Sequence, residues 1–92
     1  MRRHHAERLV KSVARLAAEF LERHQGENLV TVNGARLGKD GRAATILLTV
    51  YPKTAGAKAL VETRFLRGEL RDFLDARLRG NSLSRVDFVL AE

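Results

Sequence analysis

Three arginines, Arg64, Arg67 and Arg71, recur at spacings of three and four residues. At about 100° per residue on a helix they fall within about 60° of one another. A guanidinium is a planar fork that pairs bidentately with phosphate and can stack on bases. Arg8, Lys11 and Arg15 repeat this spacing nearer the amino end, and Lys39, Arg42 and Lys58 add single cations. One arginine row on a helix is usually a solvated face. Two rows with added cations make a multi-point surface for the phosphates of a nucleic acid.

Other arrangements carry less chemistry. Gly38-Lys39-Asp40-Gly41 spells Gly-x-x-Gly, which can clamp a phosphate backbone where helix amino ends meet it. Here it lies between two strand-like stretches and reads as a turn, with Lys39 and Arg42 at its tip. His4, His5 and His24 do not share a helix face with a carboxylate at ligand spacing, so no metal is expected. Glu69, Asp72 and Asp75 alternate with Arg67, Arg71 and Arg79 and read as an ion-paired face rather than an acid–base pair. No nucleophile–base set accompanies them, and no Gly-rich loop opens a helix after a strand. The expectation is a protein that is not an enzyme and holds no cofactor.

Composition supports a binding role. The 92 residues allow one domain, 1–92, with 45% hydrophobic and 30% charged residues, an ordinary globular mix. Without cysteine neither disulfides nor a thiolate zinc site stabilises it. No apolar run approaches the roughly 20 residues of a membrane span. The opening Met1-Arg2-Arg3-His4-His5 lacks the apolar stretch of a signal peptide, so a cytosolic protein without a membrane partner is expected. The net charge is +6, and thirteen of the seventeen cations are arginine. That bias favours nucleic acid over an acidic protein partner.

These cations need elements to position them. Leu9, Val13, Leu16 and Phe20 follow helical period over about 5–24, widened by Val10, Ala17, Leu21 and His24, and Gly26 is placed to end that helix. Leu29–Val32 and Ala44–Tyr51 are rich in β-branched residues around the 38–41 turn, which predicts a β-hairpin. Ala44, Ile46, Leu48 and Val50 form its expected core face. The apolar register of the first strand slips between Val32 and Ala35/Leu37, so Gly34 marks a bulge. Helical period returns over about 57–79 on Leu60, Thr63, Leu66, Leu70, Phe73, Leu74 and Leu78, with Gly68 inside it. Gly80-Asn81-Ser82 is a stop, and Val86, Phe88 and Leu90 alternate as a last strand. Leu9, Val13, Leu16, Phe20, Ile46, Leu48, Leu66, Leu70, Phe73 and Phe88 are the expected core. Three of the four phenylalanines fall on it, so a base-stacking sheet is not supported, and backbone and shape recognition fits better.

Leu29 to Ala43, read as a valine/threonine strand, a polar turn with Asp and a strand opening with Ala, resembles the first hairpin of ribosome-binding factor A. Phe65-Leu66-Arg67-Gly68-Glu69-Leu70 resembles its second-helix segment, and Val86-Asp87-Phe88 its last strand. The amino-terminal helix is also similar. The resemblance covers nearly the whole chain and rests on the order and spacing of these motifs. It implies an α+β, KH-like (type II) α-β-β-α-α-β fold, a three-stranded sheet with helices packed on one face. It further implies a cytoplasmic bacterial factor, monomeric, that binds the small ribosomal subunit, contacts its ribosomal RNA and assists late maturation of that RNA. Arg64 stands where the family's helix pair kinks at a glycine, so any bend is expected at or near Gly68, or one nearly continuous helix. Arg64, Arg67, Arg71, Lys58, Lys39 and Arg42 are the expected RNA contacts, with Arg8, Lys11 and Arg15 behind them. The competing readings are a general RNA-binding domain without ribosome specificity and a protein–protein module whose charge only solvates.

Overall fold

The computed structural model describes residues 3–80 and 82–91. Arg2 and Asn81 lie outside the described residues, as do the side chains of Arg3, His4 and His5. The chain runs α1 (Arg3–Glu22), β1 (Leu29–Leu37), β2 (Ala43–Tyr51), a short 3₁₀ turn (Lys53–Ala55), α2 (Gly56–Arg64), α3 (Arg67–Arg77) and β3 (Arg85–Leu90). Among the described residues no helix is long and apolar enough to cross a membrane.

The hairpin forms where the β-branched runs predict it. Gly38 N–H donates to Ala43 O at 2.8 Å and Gly41 N–H to Gly38 O at 3.0 Å. Arg42 N–H donates to Asp40 Oδ1 at 2.9 Å, an Asx turn that closes the loop. Gly41 sits at φ 72, in the left-handed region that glycine enters without steric cost. The Gly-x-x-Gly stretch is therefore a strand connection. β1 pairs antiparallel with β2, and its register steps between Val32 and Gly34. That is the bulge the sequence marks, and the strand continues through it to Leu37. β3 adds parallel to β2, giving the order β1-β2-β3.

One face of this mixed sheet is covered. Ala44, Ile46, Leu48 and Val50 of β2 and Val86 and Phe88 of β3 are buried against the helices. The α1 stripe Leu9, Val13, Leu16, Ala17, Phe20 and Leu21 meets them, and Leu70 and Leu74 of α3 close the core. Each large apolar side chain buried there contributes roughly 1.5–3 kcal/mol. Leu66 and Phe73 are only partly buried at its rim, against the expectation that both lie inside. The Phe73 ring instead packs edge-on to Phe20 at 5.4 Å and carries the Arg77 guanidinium over its face, 3.6 Å from its centroid. A ring seated under a cation stays at the surface. The other sheet face presents Arg36, Thr45, Leu47, Thr49, Tyr51, Asp87 and Val89.

The second helical stretch is not one continuous helix; its bend lies near Gly68, as expected, but not at the glycine itself. It breaks at Phe65 and Leu66. Phe65 N–H donates to Glu62 O at 3.2 Å and Leu66 N–H to Thr63 O at 2.9 Å, and Leu70 N–H to Leu66 O at 2.9 Å restarts the α pitch. The turn is made by tightening to i→i−3 bonds, with Leu66 at φ −91, ψ 3. No described non-glycine residue has positive φ, so the break needs no glycine at Arg64 or nearby. Gly68 is simply the second residue of α3. That helix ends at Arg77, and Gly80 at φ 73 turns the chain toward β3.

Candidate nucleic-acid interface

The helix break brings Arg64 and Arg67 to the β3 edge of the sheet. Arg64 Nε donates to Asp87 Oδ1 at 3.2 Å and lies 3.3 Å from Phe88 O. Arg67 Nη1 reaches the same Asp87 oxygen at 3.5 Å, and its Nε donates to Arg64 O at 3.0 Å. Two guanidinia thus converge on one carboxylate. Arg64 also reaches one backbone carbonyl of the edge strand, that of Phe88. Burial by itself pushes the Asp87 carboxyl up. The Phe88 N–H at 2.8 Å and the charges of Arg64 and Arg67 outweigh it and hold the carboxyl below its usual range. Asp87 therefore offsets part of the positive charge of this cluster at neutral pH, leaving an excess of one.

Arg71 follows one turn later on α3, exposed, with Nη2 3.7 Å from Asp72 Oδ1. Asp72 thus pairs with one of the arginines named for the ion-paired face. Glu69 stands 3.7 Å from His24 Nε2, and Asp75 Oδ1 accepts the Leu83 N–H at 3.0 Å, fixing the loop into β3. His24 itself stacks on Phe20 at 4.2 Å, with Nδ1 2.8 Å from Phe20 O, so its ring serves the end of α1.

The remaining cations are spread over α1, the hairpin and α2. Lys11 and Lys39 line one groove between α1 and the end of β1, together with Val10 and Leu37. Arg8 lies one turn before Lys11. Arg15 lies one turn after it, pairs with Glu19 at 3.6 Å as its i,i+4 spacing predicts, and borders the next groove along β1. Arg42 stands at the hairpin tip, where its carbonyl accepts the Ser84 N–H at 2.8 Å. Lys58 is exposed on the first turn of α2. Apart from Arg42 at the hairpin tip, the expected surface is therefore two clusters. Arg8, Lys11, Arg15 and Lys39 lie along the α1/β1 edge, and Lys58, Arg64, Arg67 and Arg71 lie along the α2/α3/β3 side. Two strand spacings, about 10 Å, separate the outer strands.

Two residues of this region are not marked by the sequence pattern. Asp87 reads there only as an alternating position of the last strand, because a pairing 20 or more residues away leaves no periodic trace. Phe65 has no assigned role in that pattern, yet it is 84% exposed at the helix break. Its signal is its phase: it lies off the stripe of Thr63, Leu66 and Leu70 that faces the core.

No family model and no curated protein matches the sequence. Solved structures do. The crystal structure of ribosome-binding factor A from Thermus thermophilus superposes with a TM-score of 0.82 at 24% identity, over 92% of this chain and 93% of that one. The fold is that of ribosome-binding factor A. A solution NMR structure of a Thermotoga maritima protein described as a putative ribosome binding factor A matches with a TM-score of 0.76 at 21% identity, over 90% of this chain and 83% of that one. A Thermus thermophilus ribosome binding factor A homology model, fitted into the cryo-EM map of its complex with the 30S subunit, matches with a TM-score of 0.72 at 26% identity, over 87% and 88%. The ribosome-binding factor A fold accounts for the order of elements, the mixed sheet and the helices confined to one face, as the sequence resemblance implies.

Proposed function

We propose that this chain is a cytoplasmic, monomeric ribosome assembly factor that binds the small ribosomal subunit, contacts its ribosomal RNA and assists late maturation of that RNA. One observation carries the reading: nearly the whole chain superposes on ribosome-binding factor A, and one of the matched structures belongs to a 30S complex. The charge agrees with it. Phosphate contact needs exposed cations held on rigid elements, and α1, α2 and α3, all on one face of the sheet, supply them near its two opposite edges. The contacts proposed are Arg64, Arg67, Arg71, Lys58, Lys39 and Arg42, with Arg8, Lys11 and Arg15 extending the surface along α1.

Sedimentation with purified bacterial ribosomal subunits tests this. Co-migration with small subunits and not with large ones is the expected result. Equal retention on both subunits and on unrelated RNA would leave only a general RNA-binding domain. Failure to co-migrate with any of them would overturn the reading.

A further inference from the structure

Phe65 is the most exposed large apolar residue described in this protein, at 84%, and one turn before it Val61 is 57% exposed. Folding alone does not account for an aromatic ring so placed, since exposure forgoes most of the stabilisation that its burial would give. Lys58, Val61 and Phe65, at spacings of three, four and seven, occupy one outward face of α2 together with Glu62. At the end of that face the chain tightens into the break, and the next cations are Arg64 and Arg67, both pinned by Asp87. An exposed ring thus follows a lysine two turns along the helix and adjoins in sequence a pair of arginines held by Asp87.

We infer that Phe65 is a stacking platform for an unpaired nucleobase of the bound RNA, with Lys58, Arg64 and Arg67 receiving the flanking phosphates. This rests on the RNA-binding reading above and assigns a specific contact within it. The chemistry favours a base over a protein partner. A stable protein interface takes about 800 Å² from each side, whereas one phenylalanine offers only about 150–250 Å². A nucleobase needs no more than one ring to stack on, and its backbone needs the adjoining cations. Stacking on a π-face tolerates any base, so it is compatible with recognition that otherwise follows backbone and shape.

The test uses the full chain and purified bacterial small subunits, with a 12-nucleotide single-stranded RNA and its fully paired duplex as defined probes. Phe65→Ala is expected to weaken subunit binding about 5- to 150-fold, the range for loss of one base stack, with the log–log salt dependence unchanged because no phosphate contact is removed. Phe65→Leu keeps apolar bulk without a π-face and should lose nearly as much. Phe65→Trp should bind at least as well as the parent. The chain has no other tryptophan, so its emission reports directly on the site. Quenching by the single strand and not by the duplex is the expected result. Thermal melts should place the variants with the parent, since the ring is outside the core. If the parent binds subunits and Phe65→Ala binds equally well, the stacking role falls while the ribosomal reading stands. If Phe65→Leu retains full affinity, the contact is an apolar one to protein and the inference is overturned. If the parent binds neither subunits nor RNA, both readings fail together.

Discussion

Asp87 sets how much of the positive charge at the helix break faces outward. Its carboxylate receives Arg64 and Arg67 and is about 40% exposed, so the pairing is partly screened and worth less than about 1 kcal/mol. Its pKa is depressed on folding. The stabilisation is thus fully present above the ordinary aspartate value of about 3.9 and is lost as pH falls through the lower folded-state value. Asp87→Asn keeps an oxygen for the Phe88 N–H and removes only the charge. The expected outcome is a small loss of stability at pH 7 and a shallower decline below about pH 4, read from urea unfolding across pH. Small-subunit binding by the same variant should tighten, and its salt dependence should steepen by about one phosphate equivalent, because a carboxylate no longer competes for the two guanidinia.

At the scale of elements, α1 and β2 are legible in the sequence because their apolar residues keep a single period, 3.6 in one and 2 in the other, over the whole length of each. The bulge in β1 is legible from a phase slip at Gly34. The α2–α3 break is legible only to within a turn, as a bend near Gly68, because the expected marker is a glycine and the chain turns without one. Thr63 and Leu66 keep their places on the core stripe across the break, so the pattern runs through undisturbed. Of the candidate site, the arginine row is visible as spacing, while its pairing to Asp87 and the exposure of Phe65 depend on where β3 docks. Gly68 gives a direct check. It lies in the first turn of α3, its φ is not positive, and no neighbouring atom lies within 4 Å of where a Cβ would stand. Gly68→Ala should therefore stabilise the protein by about 0.5–1 kcal/mol in urea unfolding. A loss of stability would mean that the break uses the freedom of this glycine.

For the molecule as a whole, the charge is spread unevenly. Residues 56–77 hold five cations against four carboxylates, whereas residues 6–39, which run from α1 through β1 to the hairpin turn, hold six against four. The α2/α3/β3 side therefore presents fixed geometry with little net charge, and the α1/β1 edge presents more net charge. Reversing Arg67 and Arg71 together, or Lys11 and Lys39 together, should weaken small-subunit binding in each case and lower the salt slope by about two or more, with little change in stability. A pair whose reversal leaves affinity and slope unchanged is not part of the surface. The mixed pairing of the sheet also sets an order of events in time. β1 and β2 are neighbours in sequence and meet through a short turn, while Ala43 finds Arg85 in β3 only after the whole α2–α3 stretch has been spanned. Closing that longer loop costs more chain entropy and is rewarded late. Ile46→Val, in the hairpin, should slow refolding, whereas Val86→Ala, in β3, should leave refolding nearly unchanged and speed unfolding, as read from the two arms of a stopped-flow chevron. The protein would then commit to its hairpin first, and the strand that carries Asp87 would draw the two arginines into place only in the last step of folding.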